Sequence, residues 1–222
     1  MAVPFILPAN LLLQDLCRKG LAWDDEIPDN YSSRWRSWLH GLPKLSEFSV
    51  HRHVKPPDFG RITSSQIHHF CDASQSAYGA VSYLRLVNSD GRIHCSFLIG
   101  KSPLAPLKQT TIPRLELAAA TVSIRLNKML KKELEMPIDT ISFWTDSMTV
   151  IRYIENESKR FHTYVANRVS IIREDSSPLQ WRYIDTKSNP ADDASRGVTA
   201  GSFVQNDRWI KGPAFLSRPE CD

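Results

Sequence analysis

The spacing of hydrophobic and polar positions changes near residue 60. Before that point, residues 11–28 and 30–45 predict two short amphipathic helices, and Trp35, Trp38 and Leu39 fall at helical spacing. Turn-forming residues follow at 55–60, where the sequence is KPPDFG. We therefore predict a helical connection segment and linker at residues 1–59.

After the linker, short apolar runs alternate with longer helical patterns. Strands are predicted at 65–72, 77–86, 92–100, 138–146 and 179–187, and helices at 113–136, 147–157, 161–175 and 189–197. The order β-β-β-α-β-α-α-β-α predicts an α/β domain with an antiparallel hairpin section at its start. We place this domain at residues 60–200 and a C-terminal tail at 201–222.

Composition narrows the class of protein. The chain is 41% hydrophobic and 23% charged, which is typical of a globular protein. No apolar run approaches the roughly 18 residues of a membrane span, so we expect no membrane association. The apolar start lacks a basic region and reaches Asp15 early, which argues against a signal peptide.

Cysteine spacing argues against a disulfide framework and against a zinc site. The four cysteines are far apart and form no CxxC pair, so we expect reduced thiols at Cys17, Cys71, Cys95 and Cys221. The net charge is +4, and residues 1–60 carry seven basic and seven acidic side chains, so the excess belongs to residues 61–222. This excess permits nucleic-acid binding without proving it.

Four acidic residues stand where predicted hydrophobic elements begin or end: Asp72, Glu116, Asp146 and Asp192. If the first and fourth strands are neighbours, Asp72 and Asp146 emerge at the same edge of the sheet. Grouped carboxylates are costly unless a cation binds them, and hard oxygen ligands suit Mg²⁺ or Mn²⁺. The pattern indicates a metal-dependent nuclease, although any single acid at a helix start is more often structural.

The acids lie within phrases that resemble the ribonuclease H domain of BEL/Pao-type LTR retrotransposon polyproteins. These phrases are CDASQSAYGAVSYLR, KQTTIPRLELAAA, FWTDSMTVIRYI, WRYIDTKSNPADDASRG and WIKGPAFL. They cover roughly residues 60–216, and the N-terminal segment resembles the region between polymerase and RNase H. The resemblance implies an RNase H-like fold, with a mixed five-stranded sheet flanked by helices and a small helical extension.

The resemblance also implies an activity and its residues. The chain would cleave the RNA strand of RNA/DNA hybrids with two Mg²⁺ (or Mn²⁺) ions, using Asp72 as a bridging ligand beside Asp146. Glu116 would hold one ion and contact the RNA, and Asp192 would hold the other ion. The adjacent Asp193 is an alternative, but the Asn-Pro-Ala-Asp phrase favours Asp192.

The implied partners are the RNA/DNA hybrid and the polymerase and integrase parts of the same polyprotein, with an unknown oligomeric state. The implied location is the cytoplasm, in virus-like particles, with the nucleus as the alternative. Many relatives carry a histidine in the loop before the last acid. This chain has none there, and Lys187, Ser188 and Asn189 remain open as replacements.

Two groups of residues are candidates for nucleic-acid contacts. The first group, Ser74, Gln75, Ser147 and Thr149, follows the acids, but these side chains could equally cap turns or helices. The second group is Arg125, Lys128, Lys131 and Lys132, which form either a phosphate-binding surface or the solvated face of a helix.

Three other functions compete with a nuclease. An integrase-type transferase shares the fold, but its acids run D-D-E, whereas here the glutamate comes second. A catalytically idle or domesticated module would bind nucleic acid or protein without cutting. The chain could also be an interaction scaffold that docks through the helix carrying Trp35 and Trp38.

Overall fold

The computed structural model describes residues 1–50, 53–158, 160–205 and 207–219, so Cys221 and the end of the predicted tail lie outside the described residues. The strands are β1 (Ile62–Ala73), β2 (Tyr78–Asn88), β3 (Ile93–Lys101), β4 (Thr140–Thr145) and β5 (Trp181–Tyr183). The helices are α1 (Val3–Arg18), α2 (Asp29–Gly41), α3 (Ile112–Glu133), α4 (Met148–Glu155), α5 (Thr163–Asp175), α6 (Ala191–Arg196), α7 (Ala200–Gln205) and α8 (Asp207–Lys211). Cys17, Cys71 and Cys95 carry free thiols.

The strands form one sheet in the order β3-β2-β1-β4-β5. The first three strands are antiparallel to one another, and β4 and β5 run parallel to β1. The predicted mixed five-stranded sheet is therefore confirmed. In the parallel pair, Cys71 is level with Thr145, so the next residues, Asp72 and Asp146, leave the sheet at the same edge.

Alternate residues of β1 point to opposite faces of the sheet, and helices pack on both faces. Cys71 packs with buried residues of α3, α4 and α5 on one face. Phe70 packs on the other face with residues from α1, α6, α7 and α8, including Phe5, Phe203 and Trp209. The N-terminal and C-terminal segments thus share one core layer.

The N-terminal helices differ from their predicted bounds. α1 begins at Val3, ahead of the predicted residue 11, with Pro4 in its first turn. A proline is tolerated there because the first amides of a helix have no partner within the helix. α1 ends at Arg18 rather than continuing to residue 28, and α2 ends at Gly41 before a 3₁₀ helix at Leu42–Glu47.

The predicted C-terminal tail contains regular structure. It includes most of α7, all of α8 and a 3₁₀ helix at Ala214–Ser217. Trp209 is buried against Gly100 of β3, and Leu216 is fully buried. The boundaries at 59/60 and 200/201 stay predictions, although both flanking segments pack on the sheet. None of the described helices combines the length and apolarity needed to cross a membrane.

Candidate metal centre

The centre lies at the sheet edge where β1 and β4 end. Asp72 is the penultimate residue of β1 and is buried, and Asp146 follows directly after β4. Glu116 reaches the same edge from α3, where its neighbours Leu115 and Leu117 pack into the core. Carboxylate oxygens of Asp72, Glu116 and Asp146 all lie within 4.8 Å of one another.

Burial and mutual repulsion make this group costly when it is ionised. Burial, together with the charges of Asp72 and Asp146, raises the pKa of Glu116 to about 9. Burial, with repulsion from Asp146 and Asp192 as a smaller cause, raises the pKa of Asp72 to about 6. A hydrogen bond from the Ser195 hydroxyl opposes the shift at Asp72. Metal-free protein therefore holds protons at this centre near neutral pH.

Two oxygens of the group are buried without a hydrogen-bond partner among the described residues, Glu116 Oε2 and Asp146 Oδ1. Buried polar atoms normally have partners, so acceptors without a protein partner at a cluster of carboxylates are suited to ligate a cation. An all-oxygen donor set of this kind fits Mg²⁺ or Mn²⁺. The residues present therefore fit the expected ions.

Asp192 lies near this group but does not belong to the set within 4.8 Å. Its carboxylate pairs with the guanidinium of Arg196, one turn later on α6. α6 is seated by a close approach to β2, because a Cβ on Gly79 would stand 2.7 Å from the Cβ of Ala194. This seating brings Asp192 close enough for its charge to raise the pKa of Asp72.

The neighbouring Asp193 faces a different environment. It is buried, and its carboxylate accepts a hydrogen bond of 2.8 Å from Arg208 of α8. Arg208 also donates to the carbonyl of Lys187 at 2.6 Å. Asp193 therefore joins α6 to the C-terminal helices, which supports the preference for Asp192 as the fourth acid.

Three side chains at the centre were not among the predicted site residues: Thr186, Ser195 and Arg196. Thr186 donates to Asp146 Oδ2 at 2.7 Å, and Ser195 donates to Asp72 Oδ2. Arg196 lines the pocket beside the acids, and its hydrogen bond to Asp192, followed by the charges of the acids, raises its pKa. Helical spacing from Asp192 could have suggested Ser195 and Arg196, but no local pattern marks Thr186.

The loop before α6, which has no histidine, contacts the acidic group through one side chain and the sheet through another. Asn189 is buried, and its amide donates to the Cys71 carbonyl at 3.0 Å, so it anchors the loop beneath the centre. Lys187 and Ser188 are exposed, and neither lines the pocket. Among the side chains of this loop, Thr186 is the one that lines the pocket and contacts an acid of the group.

The predicted nucleic-acid contacts fall in two places. Ser74, Gln75, Ser147 and Thr149 line the open pocket of about 640 Å³ that contains the acids. Two of these hydroxyls also serve the backbone: Ser74 holds its turn and the Ser195 carbonyl, and Ser147 caps α4. The four basic residues of α3 are exposed and lie outside this pocket: Arg125, Lys128, Lys131 and Lys132. Among them, Lys128 forms an ion pair with Asp175 at 3.5 Å.

Several solved structures resemble the chain at low identity. An N-terminal RNase H domain from Mycobacterium tuberculosis, fused to maltose-binding protein, is 15% identical with a TM-score of 0.41, over 60% of this chain and 94% of that one. An RNase H1 isolated from compost, solved with an RNA/DNA hybrid, is 14% identical with a TM-score of 0.38, over 63% and 99%. A prototype foamy virus protease–reverse transcriptase is 12% identical with a TM-score of 0.31, over 75% and 27%.

The family comparison is more direct. A comparison with curated protein sequences gives no match. The family model described as "Pao retrotransposon-like RNaseH-like domain" matches residues 1–147, which include the N-terminal helices and the acids Asp72, Glu116 and Asp146. The match spans most of the chain, and the chain therefore belongs to the Pao retrotransposon RNase H-like family.

Proposed function

We propose that the chain is a metal-dependent endoribonuclease that cleaves the RNA strand of RNA/DNA hybrids. The observation that carries the proposal is the group formed by Asp72, Glu116 and Asp146, whose oxygens lie within 4.8 Å of one another. Two of those oxygens lack a protein partner among the described residues. A structural role does not require buried carboxylates to be left in this state.

Each acid of the centre has a proposed role in metal binding. Asp72, Glu116 and Asp146 would hold two Mg²⁺ or Mn²⁺ ions, and the family resemblance makes Asp72 the candidate to bridge them. Bound ions would stabilise the attacking and leaving oxygens of a phosphodiester. Asp192 would complete the set from α6, after a change in its pairing with Arg196.

The surroundings of the acids orient them. The hydroxyls of Thr186 and Ser195 fix one oxygen each of Asp146 and Asp72. The other oxygen of Asp146, Oδ1, is buried without a hydrogen-bond partner among the described residues. Residues that hold metal ligands in this way are expected to affect metal affinity strongly.

The substrate follows from the pocket and the family. The pocket is open and bordered by Gln75, Ser147 and Thr149, so it admits a polymer strand rather than a small enclosed ligand. In the family, the strand to be cut is RNA, and its 2′-hydroxyl distinguishes it from DNA. The polymerase and integrase parts of a retrotransposon polyprotein would be the partners in reverse transcription.

The test is cleavage of an end-labelled RNA/DNA hybrid with Mg²⁺ or Mn²⁺, with duplex DNA, duplex RNA and single-stranded RNA as comparison substrates. We expect wild type to cut only the RNA of the hybrid and to leave 5′-phosphate and 3′-hydroxyl ends. Asp72→Asn and Asp146→Asn should abolish cutting, whereas the exposed Asp24→Asn should not. Wild type that binds the hybrid without cutting it under either metal would instead be a binding module.

A further inference from the structure

A second groove lies next to the acidic pocket, between α2 and the segment that follows α6. Its volume is about 570 Å³, and residues from α1, α2 and the segment 196–201 line it. The two sides are joined through α1, because Val198 donates a backbone hydrogen bond to Pro4 at 3.0 Å. A Cβ on Gly197 would meet Pro8 at 3.1 Å, so this side of the groove is closely packed.

The groove is lined by basic side chains without acidic ones. Arg34, His40, Lys44 and Arg196 line it, and no aspartate or glutamate among the described residues does. Arg34 is half exposed and forms an ion pair with Asp15 at 3.7 Å, Arg196 pairs with Asp192, and Lys44 is exposed. A groove lined by positively charged side chains attracts an anionic ligand, and a polyanion can contact several of these side chains at once.

The groove also offers an aromatic surface. Trp35 is 40% exposed and stacks on Trp38 with ring centroids 5.0 Å apart. Trp38 is held in turn, because its Nε1 donates to the Phe5 carbonyl at 2.9 Å and its ring stacks on Phe5. Trp35 is therefore held by a stacked neighbour and is partly exposed at the groove, which allows its ring to stack on a nucleobase.

The groove adjoins the acidic pocket, because Arg196 lines both. A strand bound across Asp72 and Asp146 would therefore pass Arg196 on its way to the groove. We propose that the groove binds a single-stranded nucleic-acid extension of the hybrid, with Arg34 and Lys44 on its phosphates and Trp35 on a base. This rests on the proposed function, since it requires the hybrid to occupy the acidic pocket.

Single-stranded nucleic acid fits the groove better than a protein partner does. Single-strand sites combine a cationic groove with aromatic rings on which bases stack, and both are present. A neighbouring apolar cavity between α1 and α2, which Trp35 also lines, has a volume of about 430 Å³ and no basic or acidic lining residue among those described. A hydrophobic partner would therefore choose that cavity, and the basic groove would be left to an anion.

The test compares the affinity of one hybrid with and without a single-stranded extension of about ten nucleotides, which is within the usual range of site sizes. Extensions of DNA and of RNA are placed at each end in turn. Binding is measured by fluorescence anisotropy in the Asp146→Asn background, which prevents cleavage. We expect at least one extension to lower Kd by about fivefold or more. Trp35→Ala and Lys44→Ala should each bring the ratio of the two Kd values close to one.

Matched controls are available outside the groove. Trp23 is 95% exposed and Lys55 is exposed, so Trp23→Ala and Lys55→Ala should keep the full gain from the extension. Thermal unfolding verifies that each variant folds. If Trp35→Ala does not fold, Lys44→Ala still tests the groove, because Lys44 is exposed. The proposal is overturned if no extension improves binding, or if the gain survives both groove substitutions.

Failure of the groove and failure of the nuclease give different results. If wild type does not cut the hybrid but a free single strand binds it and Trp35→Ala weakens that binding, the groove stands and the nuclease proposal fails. If wild type cuts the hybrid and extensions have no effect, the nuclease stands and the groove proposal fails. In that case a protein that competes for Trp35 becomes the alternative occupant.

Discussion

Two buried acidic residues, Asp193 and Glu116, differ in whether the protein supplies a positive charge beside them. Asp193 is buried and paired with Arg208 at 2.8 Å. Glu116 is equally buried, and one of its oxygens has no hydrogen-bond partner among the described residues. Burial alone therefore does not distinguish a structural acid from a functional one. The distinction lies in whether the protein itself supplies the compensating charge.

Removal of the compensated acid should have the largest effect on stability. Asp193→Ala leaves the half-buried Arg208 without its carboxylate, so we expect unfolding free energy to fall by about 2–4 kcal/mol. Urea denaturation measures the change. The control is Asp207→Ala, which removes a largely exposed pair with Lys211 and should cost less than about 0.5 kcal/mol. Equal losses in the two variants would contradict a structural role for Asp193.

Replacement of the uncompensated acid, Glu116, should have the opposite effect on stability. The raised pKa values of Glu116, about 9, and of Asp72, about 6, mean that the folded state binds more protons than the unfolded chain above pH 4.5. Stability of the metal-free protein should therefore fall as pH rises from about 4.5 towards 9. Glu116→Gln removes the larger part of this dependence, and at pH 8 we expect it to stabilise metal-free protein by on the order of 1–3 kcal/mol.

The same substitution should reverse its sign when metal is present. Mg²⁺ that binds the folded state alone raises the melting temperature of wild type, and Glu116→Gln should lose most of that increase. Thermal melts at pH 6 and pH 8, with and without Mg²⁺, measure both effects in one experiment. A wild-type stability that rises from pH 6 to pH 8 without metal would show that the acids are compensated in solution.

Much of this contrast could be predicted from the sequence. The strand ends place Asp72 and Asp146 at one edge as soon as β1 and β4 are assumed to be parallel neighbours, and their register confirms it. Pro113 and the apolar stripe of α3 placed Glu116 near the start of that helix, where it is found. These residues lie next to long, strongly patterned elements, so local rules were sufficient.

Other features depend on contacts that no local pattern encodes. Thr186 reaches Asp146 across 40 positions of sequence, and Arg208 reaches Asp193 across 15. The helices of the predicted tail are short, and Trp209 packs on β3 from far along the chain. The early start of α1 was missed because Pro4 and Pro8 interrupt its helical pattern. Tertiary contacts decide each of these features, so the sequence pattern could not.

Thr186 allows a finer test of the centre. Its hydroxyl donates to Asp146 Oδ2, and residues in such positions typically change metal affinity by about 10- to 100-fold when they are replaced. We expect Thr186→Val to raise the Mg²⁺ Kd by about tenfold, measured by isothermal titration calorimetry. Thr63→Val, on an exposed part of β1, is the control. An unchanged Kd would mean that Asp146 keeps its orientation without Thr186.

Arg196 should give the smallest change, in the opposite direction. Its positive charge at the edge of the acidic group partly compensates the charges of the acids. Asp193, in contrast, is paired directly with Arg208. Because that charge repels an incoming cation, Arg196→Gln should lower the Mg²⁺ Kd by about two- to fivefold at low salt, and less at high salt.

The stability of the protein should hardly change in that variant. The pair of Arg196 with Asp192 is largely exposed and spans one helical turn, so it contributes about 0.5 kcal/mol or less. Calorimetry at two salt concentrations measures the Mg²⁺ affinity, and urea denaturation measures the stability. A weaker Mg²⁺ affinity in Arg196→Gln would show that Arg196 acts mainly by orienting Asp192 as a ligand. The acids would then depend on Arg196 for geometry rather than for charge, and the contrast with Asp193 would be sharper still.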